Sequence, residues 1–343
     1  MSLENQYSNQ IKVFTTYVPG MSINELGSLV EQGMAGVRFI YKETEAVSFI
    51  SKVKTYEGHF NSVTNRKFLV MIDLPGTKPR IGYLDTPITL KRSMPLNLSI
   101  YKSAESIHIT NLDKEKFQKI AVNDRILIAD DSIELKVTKK EETYLQCISV
   151  LTNGILRAGR SIVFPDSEIK NSALSAHDRK LLSSFDLCKY NFKLAISFCH
   201  SNKIVQTLTE NYDIDRKNII PKIETVMSKD ALSEIIRGCE YAMLGRGDLS
   251  VVNSASEWFV FQLLFIKTCQ ENFVEPIVGT GIFPSLSQNN RPKISEISDV
   301  GFLLKMGVTA FLIADDVSFT NPLQVLRQIN ELNDFISKNE LVI

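Results

Sequence analysis

Along this chain, short apolar runs rich in β-branched residues alternate with longer stretches whose apolar positions recur with helical period. The short runs predict strands at Lys12 to Tyr17, Gly36 to Tyr41, Lys67 to Asp73, Lys193 to Phe198, Ile219 to Glu224, Tyr241 to Leu244, Pro276 to Thr280 and Thr309 to Ala314. The longer stretches predict helices at Ser22 to Gln32, Thr44 to Thr55, Ser175 to Ser184, Ser201 to Asn211, Ser228 to Gly238, Ser254 to Asn272, Ile294 to Met306 and Pro322 to Lys338. Most open on serine or threonine, whose side-chain oxygen can accept from the first backbone N–H groups of a helix. Glu257 to Asn272 carries the broad apolar face of a helix lying on a sheet. Eight alternating units predict an α/β fold, a closed parallel (β/α)8 barrel.

One interval breaks the rhythm. From Ile81 to Leu174 the pattern changes to short alternating strands at Ile107 to Ile109, Arg125 to Ile128, Ile133 to Val137 and Tyr144 to Ile148. Asn123-Asp124 and Asp130-Asp131-Ser132 supply turns between them. This predicts a small all-β domain inserted after the third strand. The barrel then occupies residues 1–81 and 169–343, and the insert residues 82–168. Above a catalytic face such a domain serves as a lid that excludes water; a structural elaboration gives the same pattern. Lys139 to Glu142 reads as a solvated turn.

Composition narrows the function classes. Hydrophobic residues make up 44% of the chain, enough for a full core. Lysine plus arginine number 39, as do aspartate plus glutamate, so no global field favours nucleic acid or a membrane surface. The five cysteines are odd in number and lack metal-type spacing, which predicts buried thiols in a reducing compartment. The four histidines show no ligand spacing either. Neither an apolar signal core nor a membrane-length apolar run occurs, and a cytoplasmic protein is expected.

Barrels of this kind gather their chemistry at the C-terminal strand ends. Here those ends carry Arg38, Asp73, Ser197, Lys222, Glu224, Asp248, Thr280 and the pair Asp315-Asp316. Two strings stand out, Pro221-Lys222-Ile223-Glu224 and Gly245-Arg246-Gly247-Asp248, each closing an apolar strand. Charges delivered there are costly unless paired. Glu224 and Asp248 suit a hard divalent cation, with Lys222 facing an anionic substrate. An internal salt bridge from Lys222 to Glu224 or Asp248 is the plainer alternative.

Lys222-Ile223-Glu224 and Arg246-Gly247-Asp248-Leu249, in a barrel with a β insert after its third strand, resemble the pyruvate kinase family. The resemblance runs from about residue 10 to 330. It includes Gly33-Met34 with Val37-Arg38, Asp73 to Gly82, Asp124 to Ile128 with Asp130-Asp131, Ser197-Phe198, Thr280, and Arg291-Pro292 with Ser298-Asp299-Val300. It implies phosphoryl transfer between phosphoenolpyruvate and ADP, giving pyruvate and ATP as in glycolysis. Glu224 and Asp248 would bind Mg2+ (or Mn2+), and Lys222 would neutralise the transferring phosphoryl group. Arg38 would contact that group with Ser197. Backbone at Gly247 and Asp248 would cradle the substrate carboxylate, and Thr280 would lie beside the enolate carbon. Arg80, Pro19 and Arg160 fall at nucleotide-contacting positions. A monomer, or a homodimer through barrel helices, is expected.

The departures carry their own expectations. Family members that bind K+ have an asparagine and a serine where Ile40 and Lys42 stand, and a threonine where Leu74 stands. Asp73 is retained, and Lys78 lies where K+-independent members carry lysine, so Lys78 with Asp73 is expected to substitute for K+. On the nucleotide side Glu43 replaces a histidine, Gly281 a glutamine and Ile294 an arginine. Ala314-Asp315-Asp316-Val317 replaces a serine-glycine-glutamate-threonine loop. Family members usually continue into a C-terminal effector domain; only Asn339 to Ile343 follow the last helix here, so regulation through such a domain is not expected. Three functions remain open: pyruvate kinase chemistry, a phosphoenolpyruvate or 2-oxo-acid enzyme with another acceptor or lyase chemistry, and a non-catalytic ligand-binding regulator.

Overall fold

The fold comes from a computed structural model, which describes residues 10–41, 45–64, 68–128, 133–150, 154–167, 169, 174–184, 192–288 and 291–339. The chain opens with β1 (Lys12–Thr16), α1 (Ile23–Glu31), β2 (Gly36–Ile40), α2 (Ala46–Val63) and β3 (Leu69–Leu74). Short strands follow: β4 (Arg80–Ile81), β5 (Ile88–Thr89), β6 (Pro95–Ser99), β7 (Ile107–Thr110), then after α3 (Lys114–Gln118) β8 (Arg125–Ile128), β9 (Ile133–Lys140), β10 (Tyr144–Ser149), β11 (Ile155–Leu156) and β12 (Ile162–Val163). Strand–helix alternation then resumes through α4 (Ala176–Ser184), β13 (Phe192–Ile196), α5 (Asn202–Tyr212), β14 (Ile219–Ile223), α6 (Lys229–Ile236), β15 (Tyr241–Gly245), α7 (Arg246–Val252) and α8 (Ala255–Glu271). It ends with β16 (Glu275–Gly279), α9 (Ile294–Lys305), β17 (Ala310–Leu312), α10 (Asp315–Thr320) and α11 (Pro322–Lys338).

Two compact units result. The first comprises Met1–Pro75, Ala173–Arg246 and Ser256–Ile343. Its sheet is a closed parallel barrel in the order β1-β17-β16-β15-β14-β13-β3-β2. All eight expected barrel strands are present, with ends moved by a residue or two. Ser22, Ser175 and Ser228 accept backbone N–H bonds as helix caps, whereas Ser201 holds the cap position without such a bond. The helix expected over Thr44 to Thr55 continues to Val63 (Thr44 itself lies outside the described residues). Helices α3, α7 and α10 were not expected. Each has seven residues or fewer, too short to display an apolar stripe.

Strand parity sets the site. Phe14, Met71, Ala195, Ile220, Met243, Ile277 and Leu312 pack in one cluster inside the barrel. Successive strand residues point to opposite faces, so Asp73, two beyond Met71, faces inward. The same rule turns Lys222 and Glu224 inward after Ile220. Charges at the N-terminal strand ends pair among themselves: Lys12 bonds Glu275, which also accepts from Thr309 Oγ1 at 3.0 Å. Lys193 Nζ lies 2.6 Å from Glu240 Oε2.

The second unit comprises Gly76–Ser172 and Gly247–Ala255. Its main sheet runs β12-β8-β9-β10-β6-β7-β4, and β11 pairs with β5. Leu98, Phe117, Ile126, Leu135, Val137 and Leu145 form its buried core. The four expected insert strands are present, β9 running on through Lys140. Those not foreseen are β4, β5, β6, β11 and β12, mostly dipeptides without room for alternation. The turn at Asp130 to Ser132 lies outside the described residues. Among the described residues no helix is long and apolar enough to cross a membrane.

Because the units have separate cores, Leu135→Ala is expected to cost the second unit about 2–5 kcal/mol through the cavity it leaves. Limited proteolysis should then cut within 76–172 while 192–246 stays intact. Simultaneous loss of both segments contradicts independent cores.

Candidate active site

The most strongly buried charge cluster at the C-terminal strand ends belongs to the first unit. Lys222 Nζ donates to Asp73 Oδ1 and Oδ2 at 3.1 and 3.2 Å and to Ser197 Oγ at 2.8 Å. Glu224 Oε1 lies 3.5 Å from the same ammonium. All four side chains are buried. Burial opposes the charged ammonium, but Asp73 and then Glu224 outweigh it, and the Lys222 pKa ends above its ordinary value; Arg38 acts in the opposing sense. Lysine therefore stays charged at neutral pH although it is buried.

Arg38 shares Asp73. Its Nη1 donates to Asp73 Oδ2 at 3.2 Å, while Nε and Nη2 donate to Thr16 Oγ1 at 3.1 and 2.9 Å. The Thr16 hydroxyl donates to the Ile313 carbonyl at 3.0 Å, which fixes its oxygen as an acceptor toward Arg38. The Glu224 carboxylate is oriented from the neighbouring strand end: the Phe198 N–H donates to Oε2 at 2.8 Å. Phe198 adopts φ 53°, a left-handed conformation costly for a phenylalanine and tolerable where surrounding contacts hold it. Gly245 lies against the same carboxylate. A Cβ there would stand 2.6 Å from Glu224 Cγ, so the position admits no side chain.

Other expected residues fall elsewhere. In the second unit Lys78, buried, forms an ion pair with Asp248, and its carbonyl accepts from Asn111 Nδ2 at 3.1 Å. Lys78 is thus paired with Asp248, while Asp73 serves Lys222 and Arg38 in the first unit. Arg80 Nη1 donates to the Gly159 carbonyl at 3.0 Å, and the Ile81 N–H donates to the Arg160 carbonyl at 2.9 Å, so Arg80 and Arg160 lie on adjoining backbone. Pro19 is exposed after β1, and Gly247 lies beside Asp248 at the start of α7. Thr280 is exposed with φ 62°. Lys42 and Glu43 lie outside the described residues.

Arg246 stands in one of the two strings noted in the sequence but was given no role there, and it organises the Thr280 turn. Its Nε and Nη2 donate to the Thr280 carbonyl at 3.0 and 2.6 Å, and Nη1 to Asp299 Oδ1 at 2.8 Å. The signal was present as a buried-strand-end arginine and an acid in Ser298-Asp299-Val300, but nothing in the spacing linked them. Chemically, the first unit offers an ammonium and a guanidinium converging on one carboxylate. That arrangement suits a phosphoryl or carboxylate anion.

Comparison with known proteins gives one family. Residues 9–318 match the family model described as pyruvate kinase, barrel domain. The chain is 28% identical over 330 residues to a pyruvate kinase of Thermoplasma acidophilum, covering 95% of this chain and 58% of that protein. It is 26% identical to that of Thermotoga maritima, covering 77% and 57%, and 25% identical to that of Borreliella burgdorferi, covering 89% and 64%. The chain thus spans less than two thirds of the length of these relatives. In fold it resembles the crystal structure of Cryptosporidium parvum pyruvate kinase, with TM-score 0.81, 21% identity, and coverage of 94% of this chain and 70% of that one. For the Pyrobaculum aerophilum structure the TM-score is 0.74 at 22% identity, with coverage of 96% and 74%.

Removing the ammonium tests the cluster directly. Lys222→Met leaves Asp73 and Glu224 buried without their cation, and a loss of about 3–5 kcal/mol at neutral pH is expected from urea unfolding. The folded pKa of Lys222 lies above its ordinary 10.5, so its stabilisation is complete below that pH and lost only as pH rises through the folded value. The difference between wild type and variant should therefore hold level from about pH 7 to 9. A difference that has closed by pH 9 contradicts this account.

Proposed function

Because this chain belongs to the pyruvate kinase family, we propose that it carries out Mg2+-dependent phosphoryl transfer between phosphoenolpyruvate and ADP, giving pyruvate and ATP. The reading rests chiefly on one observation: a buried, charged Lys222 shares Asp73 with Arg38. Phosphoryl transfer asks for positioning and charge neutralisation more than for covalent catalysis. Arg38 grips the phosphoryl group from one side, and Lys222 neutralises the charge that spreads over its oxygens as it moves. Ser197 orients Lys222 through the hydroxyl it offers. Backbone N–H groups at Gly247 and Asp248 hold the substrate carboxylate. Thr280, fixed by Arg246, stands where the enolate carbon takes its proton. Arg80, Arg160 and Pro19 receive the nucleotide.

In this reading a hard divalent ion is held by carboxylates. Glu224 and Asp248 supply carboxylate oxygens, the ligands Mg2+ prefers. Among the described residues no group of three or more acids, histidines or cysteines could hold a metal. Few protein ligands suit Mg2+, which commonly completes its shell with substrate and water. A bound Mg2+ (or Mn2+) would supply Lewis-acid polarisation of the substrate oxygens. Lys78, in its ion pair with Asp248, takes the charge role of K+ in this reading. The described cysteines Cys147, Cys199, Cys239 and Cys269 are free and buried, which fits a reducing cytoplasmic setting; Cys188 lies outside the described residues.

A coupled assay with phosphoenolpyruvate, Mg2+ and a panel of nucleoside diphosphates tests the reading. Turnover with ADP is expected, reduced about 10³-fold in Lys222→Met. Absence of turnover with every acceptor, together with Mg2+-dependent oxalate binding, would favour the ligand-binding regulator instead. Replacing K+ by a tetraalkylammonium salt should leave the rate within about twofold, since a tethered ammonium does not exchange with bulk salt. Collapse of the rate in that exchange assigns Lys78 another role.

A further inference from the structure

Arg38 meets a second carboxylate that phosphoryl transfer does not require. Its Nη2 donates to Asp315 Oδ1 at 3.3 Å. The Asp315 side chain is 50% exposed, against 14% for Arg38 and 3% for Asp73. Of the two acids on this guanidinium, one is buried and shared with Lys222, and the other stands half in water.

The contact is built into the fold. Asp315 opens α10, and α10 is held by Ser318, which is fully buried. Ser318 Oγ accepts from the Thr16 N–H at 2.9 Å and donates to the Ile313 carbonyl at 3.3 Å. Thr16 is the residue whose hydroxyl receives Arg38, and that hydroxyl donates to the same Ile313 carbonyl. One set of hydrogen bonds therefore fixes β1, the end of β17, α10 and the guanidinium together. Its neighbour Asp316 is turned to another task, its Oδ1 accepting from the Val317 N–H at 2.9 Å.

We propose that Asp315 is a specificity-determining residue: its carboxylate engages Arg38, and an incoming phosphoryl group has to displace it. The kinetic part of this inference rests on the role proposed above for Arg38; the anion-binding part rests on the contact alone. Displacing Asp73 would strand Lys222 beside an unbalanced charge. Displacing Asp315 only returns a half-solvated carboxylate to water. Asp315 is therefore the partner that yields. A phosphoryl dianion offers Arg38 more than Asp315 does, whereas a lone carboxylate such as that of pyruvate offers no more. The residue thus filters ligands by charge and sets affinity for the phosphorylated substrate rather than the rate of transfer.

Asp315→Asn and Asp316→Asn change net charge equally, but only the first alters the Arg38 contact. Calorimetric titration with inorganic phosphate and with phosphoenolpyruvate is expected to show binding about fivefold tighter in Asp315→Asn than in wild type, and unchanged in Asp316→Asn. In the coupled assay KM for phosphoenolpyruvate should fall by a similar factor with kcat held within about twofold, and affinity for pyruvate should not move. Phosphate binding no tighter in Asp315→Asn than in Asp316→Asn, including no binding in either, overturns the inference. Should no acceptor support turnover, the reading of function fails, and the phosphate titration still decides the role of Asp315.

Discussion

Burying most of an ammonium at the end of a strand constrains everything around Lys222. A buried cation is retained only where carboxylates answer it. Here Asp73 and Glu224 do so from β3 and from the end of β14 itself, and Ser197 completes the lysine's bonding. The requirement propagates outward. Glu224 needs its second oxygen satisfied, which brings the Phe198 N–H into an unusual backbone conformation. It needs room, which leaves only glycine at 245. Asp73 carries a second cation, Arg38, which in turn recruits Thr16. These residues form one electrostatic unit, and the loss of any member shifts the balance for the rest.

Much of the barrel was legible in the chain because its signals are local. Each strand is a short apolar run, and parity along it settles which residues turn inward. Met71 and Ile220 in the core place Asp73, Lys222 and Glu224 without knowledge of any partner. What local pattern cannot supply is pairing across distance. Lys78 and Asp248 are 170 positions apart, and Arg246 and Asp299 are 53 apart. No periodicity connects either pair. The residue quoted beside Lys78 from the resemblance was Asp73, whereas the ion pair that forms is with Asp248. Short elements were the other gap: the dipeptide strands of the insert and the helices α7 and α10 hold too few residues to repeat a pattern.

The departures from the family pattern also become physical statements once contacts are known. Asp315 appears in the sequence as one substitution within a four-residue loop. In the fold it is a carboxylate brought to Arg38 by hydrogen bonds through Ser318 and Thr16. Leu74, where the resemblance would place a hydroxyl ligand for K+, is fully buried. Neither residue sits in the strings that carry the resemblance most strongly.

Arg246 ties the outer wall of the barrel to the C-terminal ends of its strands. The guanidinium springs from the end of β15, grips the turn after β16, and is anchored on α9 through Asp299. A helix on the outside of the barrel therefore holds, through a single side chain, the peptide that aims Thr280. Removing the carboxylate from α9 would therefore loosen the grip on the Thr280 carbonyl from a position outside the barrel.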